Sequence, residues 1–198
     1  MSPTNSGLTL VLASTSRYRR ELLERLKLPF QTIAPDIDER PLAGEQPAGT
    51  AHRLALAKAH AARGKFPNSL VIGSDQVAFC EGLRLDKPGN HEGALSQLRH
   101  SSGRSVSFLT AVCLVNTASG RTQSRVVPTE VKYRKLSDSE IERYLNAEPA
   151  YDCAGSAKAE GLGIALVESI QSSDPTALIG LPLIALTEML RDEKVPLP

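Results

Sequence analysis

From Leu70 to Gln76 the chain reads Leu-Val-Ile-Gly-Ser-Asp-Gln, an apolar run closed by a carboxylate. Leu70 to Ile72 is rich in β-branched residues and predicts a buried strand, since only a segment covered on both faces dispenses with alternating polar positions. Such a strand commits the rest of the chain to building a sheet around it. Gly73-Ser74 predicts a turn at its end, after which Asp75 and Gln76 are presented. A carboxylate just past the C-terminal end of a buried strand lies where α/β proteins place ligands. Asp also opens ordinary turns, so at this point Asp75 reads either way.

The whole 198-residue chain is 41% hydrophobic and 23% charged, enough to bury about 70% or more of the surface its unfolded form exposes. A single domain over residues 1–198, with room for two lobes about a cleft, is expected. The net charge of +1 supplies no global field for nucleic acid or an anionic membrane, so anion binding has to come from local clusters. Cys80, Cys113 and Cys153 are widely spaced and odd in number, which suggests neither a disulfide framework nor a zinc site. His52 and His60 are expected at the surface. No apolar run approaches the length of a membrane span. Met1 to Gly7 lacks a basic stretch and leads straight into a strand, so no signal peptide is expected and the protein reads as cytoplasmic, with reduced thiols.

In chain order, Leu8 to Ala13 predicts a first strand. Ser14-Thr15-Ser16 offers hydroxyls and backbone N–H groups at the start of a helix over roughly Arg17 to Lys27, whose buried stripe is Leu22, Leu23 and Leu26. Arg17, Arg19 and Arg20 fall in its first turn, where the helix dipole disfavours cations by a few tenths up to about 1 kcal/mol each. Hydroxyls, N–H groups and arginines converging after a strand suit a phosphate. Phe30 to Ala34 is a second strand. The loop after it, Asp36-Ile37-Asp38-Glu39-Arg40, has three carboxylates that suit either a hard cation or plain solvation. A helix over about Thr50 to Arg63 carries Ala51, Leu54, Ala55 and Ala62 on its apolar stripe, and Lys58 falls in that same stripe. A lysine there either snorkels to water or is aimed into a cleft.

Val77 to Cys80 and Leu83 to Leu85 flank Glu81-Gly82 as a hairpin that delivers Asp86-Lys87-Pro88. A helix over about Glu92 to His100, long strands over Val106 to Val115 and Arg125 to Tyr133, and a helix opened by the capping box Ser137-Asp138-Ser139-Glu140 follow. The stretch from Cys153 to Gly163 is irregular, and Gly155, Gly161 and Gly163 would permit close backbone approach to a ligand. Ile164 to Val167 predicts a last strand, and Leu181 to Arg191 a closing helix. Together these segments hold hydroxyls, arginines, lysines and carboxylates near strand ends, the inventory of a metal-assisted phosphoanhydride site.

Residues 12–23 (Leu-Ala-Ser-Thr-Ser-Arg-Tyr-Arg-Arg-Glu-Leu-Leu), Asp38-Glu39, residues 55–59 (Ala-Leu-Ala-Lys-Ala), 72–76 (Ile-Gly-Ser-Asp-Gln), Lys87-Pro88 and 179–183 (Ile-Gly-Leu-Pro-Leu) resemble the Maf family of nucleoside triphosphate pyrophosphatases, in the family's order and over nearly the whole chain. Tyr18, Gln76 and the segment Ala154 to Gly161 resemble the branch acting on 7-methyl-GTP. The resemblance implies an α/β fold with a mixed, largely antiparallel twisted sheet, flanking helices and two lobes around a central cleft, assembled as a homodimer. It implies a divalent cation, Mg2+ or Mn2+, and cleavage of the α–β phosphoanhydride of a nucleotide to a nucleoside monophosphate and pyrophosphate.

By that resemblance Asp75 is the catalytic base, Ser14, Arg19, Lys58 and Lys87 bind the substrate phosphates, and Glu39 with Asp75 holds the metal. Tyr18, Gln76 and Glu160 are the specificity positions. The partner expected is a small-molecule nucleotide, with neither nucleic acid nor membrane. Two departures stand out: the family's Ser-Pro is Ser16-Arg17 here, and its Gly-Lys-Pro is Asp86-Lys87-Pro88. Two other readings are a pyrophosphatase for canonical or differently modified nucleotides, and a nucleotide-binding regulator of cell division without a major catalytic role.

Overall fold

A computed structural model describes residues 7–198; the leader-peptide reading of the first residues lies outside the described residues. The chain divides into two compact units, one formed by the chain up to Asp75, Thr110–Val127 and Asp174–Pro198, the other by Gln76–Leu109 and Pro128–Ser173. The strands form one mixed, mostly antiparallel sheet. In the order of the chain they are β1 (Thr9–Ala13), β2 (Phe30–Ile33), β3 (Ser69–Cys80), β4 (Leu83–Arg84), β5 (Ser105–Asn116), β6 (Thr122–Tyr133) and β7 (Val167–Ser172). Their order across the sheet is β2-β1-β3-β5-β6-β7, with β4 paired to β3. The five α-helices are α1 (Arg17–Glu24), α2 (Pro47–Ala61), α3 (His91–Ser101), α4 (Asp138–Ala147) and α5 (Leu183–Asp192).

In the first unit β1 lies between β2 and β3 and pairs with both in parallel, Leu10 opposite Phe30 and Leu70, Leu12 opposite Thr32 and Ile72. That central position explains why Leu10 to Ala13 carries no polar residue: all four are buried, so both faces of the strand are covered. Leu10, Leu12, Leu70 and Ile72 pack with Leu22 and Leu23 of α1 and Leu186 and Leu190 of α5 in one core cluster. α1 opens at Ser16, whose Oγ accepts the Arg19 N–H at 3.4 Å. α2 begins three residues before the sequence suggests, because Pro47 at its first position has a preset φ and needs no N–H partner.

β3 corrects the reading of its own sequence. It does not stop at Gly73-Ser74 but runs unbroken to Cys80, so Asp75 stands inside a long strand and not beyond a short one. Gly73 is there for proximity, not for a turn. A Cβ at Gly73 would lie 2.2 Å from the Ala55 carbonyl oxygen and 2.6 Å from the Ala59 nitrogen, so the backbone of α2 crosses directly over it. Because side chains alternate along a strand, Asp75 emerges on the same face as Gly73, under the next part of that helix.

In the second unit β3 and β4 form the expected hairpin, with Phe79 opposite Arg84 and both Glu81 (φ 48°) and Gly82 (φ 81°) in the left-handed region, as a type I′ turn requires. α4 opens with the complete capping box: Ser137 Oγ accepts the Glu140 N–H and the Glu140 carboxylate accepts the Ser137 N–H. The strand expected over Ile164 to Val167 is displaced. Leu162–Leu166 is a 3-10 turn and the strand is β7, which pairs antiparallel with β6 and is exposed along nearly its whole length. As a sheet-edge strand of sequence Val-Glu-Ser-Ile-Gln-Ser, β7 has no apolar alternation to announce it. No helix among the described residues is long and apolar enough to cross a membrane. Cys80 and Cys113 are buried, Cys153 half-buried, and all three are free thiols.

Candidate active site

α2 and β3 supply the centre of the site. The small residues Ala51, Ala55 and Ala59 let α2 sit close over Gly73, and Lys58 follows Leu54 by one turn on the same buried stripe. Two residues beyond Gly73, Asp75 meets it. Lys58 Nζ lies 2.6 Å from Asp75 Oδ1, with the two side chains only 6% and 9% exposed. The same ammonium reaches Glu39 Oε1 at 3.0 Å. The lysine therefore does not snorkel to water; its charge is held against two carboxylates. A buried ammonium without such partners would carry a penalty of several kcal/mol.

Arg19 completes the charge set. Its Nε donates to the Gly180 carbonyl at 2.9 Å. Burial pulls the guanidinium's pKa below its ordinary value, and the nearby Asp75 and Glu39 carboxylates oppose that pull. Ser74 Oγ donates to the same Gly180 carbonyl at 2.9 Å and to Ala111 at 2.8 Å. Gly180, at φ 121°, thus ties the first helix and β3 together from the Ile-Gly-Leu-Pro-Leu segment. Ser14 is nearly buried at the end of β1, and its Oγ accepts the Ser16 N–H at 3.1 Å. It lies two residues past Leu12, as Ser74 lies two past Leu12's partner Ile72, so the hydroxyl turn at the end of β1 falls level with the part of β3 that holds Ser74 and Asp75.

Other expectations resolve differently. The three arginines of α1 do not converge: at about 100° per residue, position 19 is turned roughly 160° away from position 17, and only 17 and 20 share a side. Arg17 folds over the Tyr18 ring at 4.7 Å and donates to its hydroxyl at 2.8 Å, while exposed Arg20 pairs with Glu24. Of the acidic loop only Glu39 joins the site. Asp38 is taken by Arg40 at 2.6 Å, whose hydrogen bonds hold its pKa down at about 2. Gln76 follows Asp75 in β3 and points to the opposite face.

Lys87 is exposed on the loop before α3, with no partner for its ammonium among the described residues. Glu160 is likewise exposed and accepts no hydrogen bond from the described residues. The glycines of the irregular stretch face protein rather than open space. A Cβ at Gly155 would press on the Phe108 ring at 3.1 Å, one at Gly161 on the Glu148 carboxylate at 2.4 Å, and one at Gly163 on the Lys158 backbone at 2.6 Å. Burial pushes the Cys113 and Cys153 thiols up to about 12, which leaves no reactive thiolate near neutral pH.

Sequence reasoning missed Ser74, Gly180 and Asp174. The buried Asp174 carboxylate accepts the Ile184 N–H at 2.7 Å and the Thr176 hydroxyl at 2.7 Å, capping α5 from ten residues away. That spacing falls outside any local capping pattern, so the sequence carries no signal for it.

No group of three or more His, Cys, Asp or Glu side chains among the described residues is placed to hold a metal ion. Asp75 and Glu39 alone supply two hard oxygen donors. That number fits a cation such as Mg2+, which keeps several waters and takes its remaining ligands from substrate phosphates.

The site as built is a buried lysine between two carboxylates, with a buried arginine whose charge those carboxylates also feel. The chain belongs to the Maf-like protein family, whose model matches residues 9–193. A 7-methyl-GTP pyrophosphatase of Burkholderia pseudomallei is 59% identical to it over 191 residues, covering 95% of this chain and 89% of that protein. Proteins of the same name from Thiobacillus denitrificans and Nitrosospira multiformis are 57% and 56% identical, covering 97% and 94% of this chain and 96% and 94% of theirs.

Proposed function

We propose that this protein hydrolyses the α–β phosphoanhydride of a modified nucleoside triphosphate, 7-methyl-GTP, releasing the nucleoside monophosphate and pyrophosphate. The observation that carries the reading is the buried Lys58 ammonium held between Asp75 and Glu39. Relatives of 56–59% identity bearing that activity in their names support it. Asp75 orients a water and takes its proton, and Lys58, 2.6 Å away, holds the carboxylate in place. Lys58, Arg19 and Lys87 offset the charge that spreads over the phosphate oxygens as the bond breaks. Ser14 donates to a phosphate oxygen. Asp75 and Glu39 would hold the divalent cation, which neutralises phosphate charge when bound.

Base preference rests on Tyr18, Gln76 and Glu160. N7-methylation makes guanine cationic, and an aromatic ring such as that of Tyr18 attracts a cation over its face by roughly 0.5–2 kcal/mol. Glu160 accepts the N1–H and amino donors of guanine, a pair that adenine and the pyrimidines lack. The test is pyrophosphate release from a panel of canonical and methylated triphosphates by the wild type and Tyr18→Ala. The wild type should prefer 7-methyl-GTP, and the variant should narrow its advantage over GTP by about tenfold, since ~1.4 kcal/mol corresponds to that factor. Faster turnover of canonical nucleotides, or release of inorganic phosphate alone, would overturn the assignment. Equal losses on both guanine substrates would remove Tyr18 from the base site.

A further inference from the structure

The loop carrying Lys87 is fixed at both ends while its lysine is left unengaged. Asp86 is held twice on the N-terminal side: Arg84 Nε pairs with its carboxylate at 2.6 Å, and Gln97 Nε2 of α3 donates to its backbone carbonyl at 2.7 Å. On the other side the Gly89 N–H donates to the Tyr151 carbonyl at 3.1 Å. The Tyr151 hydroxyl is itself hydrogen-bonded to His91, the first residue of α3, at 3.1 Å. Between these anchors the Lys87 ammonium has no partner among the described residues.

Gln97 owes its orientation to the irregular stretch. Ser156 is fully buried, sits at φ 57°, and its Oγ donates to Gln97 Oε1 at 2.7 Å. With its oxygen engaged by Ser156, the Gln97 amide has its N–H side turned to Asp86. The hydrogen bonds run one way, from the Ser156 hydroxyl through the amide to the Asp86 carbonyl, and each polarises the next. Gly155 lets the chain press against Phe108 and deliver Ser156 to this place. The segment therefore does structural work on the Lys87 loop that a ligand-approach reading of its glycines leaves unexplained.

We infer that Gln97, oriented by Ser156, is a positioning residue for Lys87: it fixes the backbone from which that ammonium is presented to a substrate phosphate. The inference rests on the reading above in which Lys87 binds phosphate. A cation displaced by about 1 Å can cost up to a hundredfold in rate, so loosening one of the anchors has a measurable effect.

A double-mutant cycle in the full-length protein tests it, with 7-methyl-GTP as substrate and kcat/KM as readout. Gln97→Leu keeps the side chain's size but removes both hydrogen bonds, and should lower kcat/KM by about tenfold. Combined with Lys87→Ala, Gln97→Leu should cost almost nothing further, since the group it positions is gone. Gln97→Glu, which keeps the shape and the Ser156 contact but has no N–H to donate, should behave like Gln97→Leu if the latter folds poorly. An equal loss in both backgrounds, or no loss with Lys87 intact, overturns the positioning role. A Lys87→Ala enzyme of wild-type rate instead overturns the phosphate-binding reading, and this inference with it.

Discussion

Lys58 is where the buried charge of the site is balanced. An ammonium with only 6% of its side chain exposed is tolerable because Asp75 and Glu39 both reach it, and removing one partner of such a set leaves the other charge uncompensated. Asp75→Asn tests the division of labour. The amide keeps a hydrogen-bond acceptor for Lys58, and Glu39 still carries charge, so the fold should survive. The proton acceptor is lost, and kcat should fall by about a hundred- to ten-thousandfold. A near-wild-type rate, measured alongside an unchanged thermal midpoint, would remove Asp75 as the base. Lys58 was half legible in the sequence, which placed it on an apolar stripe without saying where it pointed. Ser74 and Gly180 were not legible as partners, since 106 positions separate them and only the fold joins hydroxyl to carbonyl.

At the scale of elements, what the sequence made plain was local. The capping box of α4, the Glu81-Gly82 hairpin and the continuous apolar β1 are written in spacings of a few residues, where the controlling interactions are near neighbours. What it concealed was packing between elements. Gly73 looks like a turn because glycine usually marks one, yet its role is to let the α2 backbone approach within van der Waals contact. Gly73→Ala should therefore destabilise the protein by about 1–3 kcal/mol, the usual range for overpacking. The backbone atoms at 2.2 and 2.6 Å cannot step aside as a flexible side chain would. Denaturant unfolding measures this as a lowered midpoint at constant slope. A shift below about 0.5 kcal/mol, the size of an ordinary surface substitution, would mean that α2 yields easily and that its approach to β3 is not tightly set.

For the molecule as a whole, the sheet class was readable but the boundaries between the two compact units were not. Of the four boundaries between the two units, three, at Asp75/Gln76, Leu109/Thr110 and Val127/Pro128, fall inside a twelve-residue strand. Composition reveals domain limits only where a linker is rich in proline, glycine or polar residues, and no linker exists at these points. The same global view decides what a divalent cation would do here. A structural metal needs a full protein ligand set, and its removal unfolds the chain. Two carboxylates that already share a lysine are instead suited to a cation that arrives with the nucleotide. Excess chelator should therefore abolish pyrophosphate release, and added Mg2+ or Mn2+ should restore it. The thermal midpoint of the nucleotide-free protein should stay the same with and without chelator. Cation and a non-hydrolysable triphosphate analogue together should raise that midpoint more than either alone, because both bind only the folded form. Turnover persisting in chelator would refute the metal requirement. A midpoint that falls when chelator is added to the nucleotide-free protein would mean that the cation belongs to the fold, held by more ligands than Asp75 and Glu39.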